Sequence, residues 1–214
     1  MGSMIRRPAA LPASWGGFVH PDVRSAFEML ILELPPPTSV LEVGQHAGEA
    51  ALIDLPVLSR AGERVAVGLD AGGDLAGVTV IRGNANDLAA FGSDHFDLVL
   101  CNSMLEHDAR FWLSLSEMRR VTRPGGCMIV GVPGYGAMRG RPRGWRRRLA
   151  ALVGGNAPAA AAASTPTLGL HGYPCDYYRF SRSAVEEVFL DGCEGRAVIE
   201  VMDPPRFIGR GRKA

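Results

Sequence analysis

Two acids placed after apolar runs, each followed by glycine or small residues, are the first candidates for chemistry in this 214-residue chain. Residues 40–48 read Val-Leu-Glu-Val-Gly-Gln-His-Ala-Gly, an apolar run through Glu42 that breaks into a glycine loop. Uninterrupted apolar residues suit a parallel strand covered on both faces. Gly44 frees the backbone for a tight turn and for close approach of a ligand. Gly48 predicts the start of a helix running to about Arg60, which sets Gln45 and the rest of the loop at a helix N-terminus, where backbone N–H groups favour anionic ligands. A second apolar run, Arg64–Leu69, ends at Asp70, suitably placed to hold two ribose hydroxyls.

The elements that must position these groups follow in order. Val78–Ile81 reads as a third strand running into Asn84-Ala85-Asn86-Asp87, and Phe96–Cys101 as a fourth ending at Asn102. A helix with Phe111, Leu115, Met118 and Val121 on one face closes at Pro124-Gly125-Gly126, and Cys127–Val132 reads as strand five. Asp70 to Val78 is a short link for a parallel crossover, so a loop or single turn is expected there in place of a helix.

Residues 38–133, through these four motifs in order, resemble class I S-adenosylmethionine-dependent methyltransferases of the type 11 group. The resemblance implies that Glu42 and the loop Gly44, Gln45 and Gly48 hold the amino-acid end of the cofactor, that Asp70 holds its ribose, and that Asn84 and Ala85 face the adenine. Asn102 joins the same cofactor set. Two departures stand out: His46 replaces the middle glycine of the usual Glu-x-Gly-x-Gly-x-Gly loop, and the second helix is missing. The implied fold is α/β, a doubly wound Rossmann-like seven-stranded sheet whose last strands form an antiparallel C-terminal hairpin.

Composition sets outer bounds. With 47% hydrophobic and 21% charged residues, the chain reads as one globular domain, residues 1–214, large enough for a proper core. A formal charge of +1 offers no general attraction to nucleic acid. Cys101, Cys127, Cys175 and Cys193 form no Cys-x-x-Cys pair and read as reduced thiols of a cytoplasmic protein. No secretory signal is read, and Met1-Gly2-Ser3-Met4 looks like a short added leader before the natural methionine.

Residues 1–20 read as an N-terminal arm, and Pro21-Asp22 begins a helix with Val23, Phe27, Leu30 and Ile31 on one face. The stretch 134–170 is expected to be a mobile lid inserted after strand five. It holds an arginine run, Arg139 to Arg148, and an uncharged alanine-rich tract over 149–170. Its glycines, prolines and alanines give too little hydrophobicity for stable membrane insertion. Ser181 or Ser183 can cap a helix over 184–190, after which Ala197–Met202 and Arg206–Ile208 read as the closing hairpin.

Methyl transfer to a hydroxyl also needs a base. His107, just past strand four, and His171, where the lid returns, are the candidates, with Asp176 available to orient one of the rings. Glu106, His107 and Asp108 are compatible with Mg²⁺, but adjacent residues after a strand rarely converge on one ion, and no metal site is predicted. Tyr173, Asp176, Tyr177 and Arg179 are expected to bind substrate, since aromatic faces beside hydrogen-bonding heads suit a sugar ring. This segment is similar to bacterial saccharide methyltransferases, including the mycobacterial O-methyltransferases of methylmannose polysaccharides. The expected activity is therefore O-methylation of a small acceptor, a saccharide, with a homodimer allowed. An amphipathic lipid or quinone acceptor is the alternative, as is a methyltransferase-like module without catalysis that binds RNA or a protein partner through its arginines.

Overall fold

The computed structural model describes residues 19–46, 51–71, 75–135, 175–202 and 205–214. Strands β1 (Ser39–Val43), β2 (Glu63–Gly68), β3 (Thr79–Arg82), β4 (Phe96–Asn102), β5 (Thr122–Pro133), β6 (Cys193–Met202) and β7 (Pro205–Lys213) form one seven-stranded sheet in the order β3-β2-β1-β4-β5-β7-β6. The first five are parallel, whereas β7 pairs antiparallel with both β5 and β6. This is the expected sheet with its C-terminal hairpin. The order reverses between β1 and β4, which opens a crevice at their carboxyl ends, where open α/β sheets bind ligands.

All five residues of β1 are buried, as its uninterrupted apolar run demands. One face carries Leu41, Val43, Val99, Met128 and Val130; the other carries Val40, Leu98, Leu100 and Ile129 against helix α1 (Pro21–Leu32). Proline at the first turn suits α1, and the His20 imidazole Nδ1 accepts the Asp22 N–H at 3.3 Å, a cap the sequence did not announce. Helix α2 (Phe111–Val121) buries Leu115, Met118 and Val121 on the opposite face. At the amino end of the sheet, Asp97 joins β4 to β1 by accepting from the Thr38 hydroxyl and N–H and from the Ser39 N–H. Burial pushes its carboxyl up, but those donors and Arg123 outweigh it and hold the group below the ordinary range.

The structure corrects the sequence reading after β1. No helix runs to Arg60: the described residues 51–60 make two 3₁₀ turns, Leu52–Asp54 and Pro56–Leu58. Pro56 removes a helical N–H and holds Leu55 extended, with ψ 134, so an α-helix cannot pass through. As expected, no helix appears among the described residues between β2 and β3. The segment after Ser183 is a π-helical turn, Ala184–Phe189, and of the two serines it is Ser181 whose Oγ accepts the Ala184 N–H, at 3.1 Å.

Candidate active site

The carboxyl ends of β1, β2 and β4 fold into one another. Gly44 has φ +94, and a Cβ there would lie 2.6 Å from Met104 Cβ, so both conformation and space require glycine. Its N–H and that of Gln45 donate to the Val67 carbonyl at 2.8 and 3.1 Å, drawing the loop across the end of β2. Gln45 is buried and its side-chain amide donates to the His46 carbonyl at 2.6 Å. Glu42 is buried, and its two carboxylate oxygens accept the N–H groups of Leu52 and Ile53 at 3.0 and 2.9 Å. This acid therefore staples the segment after the loop onto β1. Gly48 lies outside the described residues.

Asp70 stands just past β2 with its side chain half exposed, Arg82 Nη2 and His46 Nε2 each 3.8 Å from its carboxylate. The His46 imidazole thus faces Asp70, the acid expected to hold a ribose. Asn84 is exposed and builds a turn, its Oδ1 accepting the Asn86 N–H at 2.9 Å, while Ala85 packs on the core. Asn102 closes β4, and its Oδ1 is buried with no hydrogen-bond partner among the described residues. A buried carbonyl of that kind calls for a donor. An ammonium such as that of S-adenosylmethionine supplies one, and Asp70 offers a two-oxygen acceptor for ribose hydroxyls. The buried Asn102 Oδ1 and the exposed Asp70 carboxylate therefore fit such a nucleoside chemically, at the carboxyl ends of β4 and β2.

Just past the end of β4 the chain has collected buried charge. Ser103, immediately after β4, has φ 52, an uncommon conformation for serine that brings its hydroxyl to the Arg206 guanidinium of β7. Glu106 is wholly buried in the 3₁₀ turn Leu105–His107; burial pushes its carboxyl up to about 7, against the pull of Arg206 and Arg179. His107 is mostly buried, with Nε2 3.8 Å from Glu106 Oε1. The Glu106 carbonyl accepts the N–H groups of Tyr177 and Tyr178 at 2.8 and 3.2 Å, docking the 175–180 segment on this turn.

Asp176 forms a two-point ion pair with the Arg179 guanidinium, whose planar fork matches a carboxylate. Tyr177 is exposed, while Tyr178 and Phe180 pack with Phe111, ring centroids 5.2 and 5.1 Å from it. Phe180 is buried and anchors the segment. His171 and Tyr173 lie outside the described residues, as do the arm 1–18 and residues 136–174. Asp108 turns away from Glu106 toward Asn86 and Ser114, and among the described residues no group of three His, Cys, Asp or Glu is placed to hold a metal ion. Sequence reasoning missed the contact between Ser103 and Arg206 beside Glu106. Ser103 lay inside the strand-four motif, whereas Arg206 comes from the far hairpin and carried no local signal.

A family model described as a methyltransferase domain matches residues 50–130. No curated protein matches the sequence. Among solved structures, a Haloferax volcanii methyltransferase seen in complex with the activator Trm112 is 16% identical, with TM-score 0.60 and coverage of 88% of each chain. The N-methyltransferase NodS from Bradyrhizobium japonicum, with S-adenosylhomocysteine bound, is 12% identical at TM-score 0.57, over 90% of this chain and 86% of NodS. A Thermotoga maritima methyltransferase titled a possible histamine N-methyltransferase is 16% identical at TM-score 0.55, over 89% and 87% of the two chains. At these identities the likeness is one of fold. Over residues 50–130 the chain matches the methyltransferase domain model, and its sheet, with the crevice between β1 and β4, is folded like those of these methyltransferases.

Proposed function

We propose that this chain is an S-adenosylmethionine-dependent methyltransferase that acts on a hydroxyl of a small acceptor, a saccharide, with His107 as the base. The observation that carries this reading is the position of His107: a mostly buried imidazole at the carboxyl end of β4, beside Glu106. When bound, S-adenosylmethionine supplies an electrophilic methyl group on a sulfonium. The chain's own residues then have three tasks. Asn102, Asp70 and the Gly44 loop fix the nucleoside. Ser103, Arg206 and the Asp176–Arg179 pair shape a polar wall. His107 takes the hydroxyl proton as the acceptor oxygen gains its methyl.

Positioning accounts for most of such catalysis, on the order of 7–11 kcal/mol for well-oriented reactants, and proton removal adds about 10²–10⁴-fold. A saccharide is supported by the exposed ring of Tyr177 next to a charged, hydrogen-bonding pair, since sugars present apolar faces and hydroxylated edges. The second reading is an amine acceptor, which the two solved neighbours titled N-methyltransferases suggest.

Transfer of labelled methyl from S-adenosylmethionine to a panel of oligosaccharides, amines, quinones and lipids tests the proposal. Alkali-stable label on a sugar hydroxyl, lost in His107→Ala, is the expected result. Label on amines alone would replace the hydroxyl reading with the second one. Cofactor binding without transfer to any panel member would favour the non-catalytic module.

A further inference from the structure

The turn on the predicted adenine side and the turn carrying His107 are joined by side chains that neither the fold nor the chemistry above accounts for. Asn86 Nδ2 donates to Asp108 Oδ2 at 2.6 Å and to Ser114 Oγ at 2.8 Å, and the Ser114 hydroxyl donates to the same Asp108 Oδ2 at 2.7 Å. The three groups close a triangle in which both amide hydrogens are used. Ser114 is fully buried, so this triangle lies against the core and not in bulk water.

Each end of the triangle is rigid. On one side, Asn84 Oδ1 accepts the Asn86 N–H and the Asn84 carbonyl accepts the Asp87 N–H, both at 2.9 Å. On the other, the His107 N–H reaches the Met104 carbonyl at 2.9 Å and the Asp108 N–H reaches Leu105 at 3.3 Å. Further along, Glu117 and Arg120 of α2 hold the Leu88 N–H and carbonyl, so the strip after Asn86 cannot give way independently. A displacement of the 84–86 turn therefore has a short hydrogen-bonded route into the Leu105–Asp108 turn. Low-dielectric surroundings strengthen such a network and make its partial loss costly.

We infer that Asn86 and Asp108 are positioning residues that couple nucleoside binding at the Asn84-Ala85 turn to the placement of His107. The inference rests on the methyltransferase reading of this crevice. A purely local role is the competing account: Asp108 Oδ1 accepts the Arg110 N–H at 2.8 Å at the start of α2, which needs nothing from Asn86. The two accounts separate at Asn86 and at a swapped pair.

The test is hydrogen–deuterium exchange with and without S-adenosylhomocysteine, run beside steady-state kinetics on the full chain. In the parent, the nucleoside should slow exchange in both 84–88 and 104–108. In Asn86→Ala it should slow 84–88 only, with kcat down about tenfold and the KM for S-adenosylmethionine changed by less than about threefold. Asn86→Asp, which sets two carboxylates face to face, should lower nucleoside affinity about tenfold or more. Asn86→Asp combined with Asp108→Asn restores an amide–carboxylate pair in reverse and should return affinity and kcat to within about threefold of the parent. Retained protection of 104–108 with parental kcat in Asn86→Ala, or a swap no better than Asn86→Asp alone, would overturn the coupling. A parent that binds no nucleoside overturns the methyltransferase reading and the coupling together; a parent that binds it with the two turns responding independently overturns the coupling alone.

Discussion

The Gln45 carbonyl sits so closely over Gly68 that a Cβ on Gly68 would meet its oxygen at 2.0 Å. The last residue of β2 must therefore lack a side chain for the loop after β1 to fold across it. Gly68→Ala should push that loop away, costing about 1–3 kcal/mol as overpacked sites do. The expected result is a lower melting temperature together with at least about tenfold weaker binding of S-adenosylhomocysteine. Parental melting and affinity would show that the loop has slack which this geometry denies.

Asp70 lies just past β2 with its side chain half exposed and Arg82 and His46 for neighbours. Asp70→Ala should weaken nucleoside binding by about 1–3 kcal/mol, the range for a lost charged hydrogen-bond partner, and leave the melting temperature of the unliganded chain nearly unchanged. Calorimetry and thermal denaturation read the two quantities separately. Unchanged affinity removes Asp70 from the ribose role.

His107→Ala should lower kcat by about 10²–10⁴-fold while the affinity for S-adenosylhomocysteine stays at the parental value, because a base acts on the acceptor and not on the cofactor. His171→Ala belongs in the same series. Full turnover in both variants contradicts the assignment of the base to histidine.

Glu106 gives a pH signature. Its carboxyl ordinarily titrates near 4.5 and burial raises it to about 7, so between those values the folded chain keeps a proton that the unfolded chain has lost. Stability should therefore fall as pH rises through that window and level off above it, a change of about 3 kcal/mol at most. Glu106→Gln has no proton to lose and should flatten that part of the profile. Parallel profiles of melting temperature against pH for parent and variant would contradict the burial argument.

Much of this arrangement was readable before any coordinates. The parallel strands declared themselves because Val40–Val43 and Phe96–Cys101 are covered on both faces and so must be apolar throughout. Glu42, Gly44 and Asp70 stood out because each ends such a run. The helix expected from Gly48 to Arg60 failed because the apolar spacing of Leu52, Leu55 and Leu58 satisfies 3₁₀ turns equally well, and Pro56 decides between them. Ser103 and Arg206 escaped notice for another reason: their meeting joins β4 to the C-terminal hairpin, and no local pattern encodes a contact so distant in the chain. The facing of His46 toward Asp70 likewise became visible only once β1 and β2 were set side by side.

Calorimetric titration of S-adenosylhomocysteine into the parent chain, with Asp70→Ala alongside, bears most directly on the crevice between β1 and β4. One saturable site in the parent, weakened in the variant, is the predicted result. A parent chain that takes up no nucleoside at millimolar concentration would contradict the account at its root.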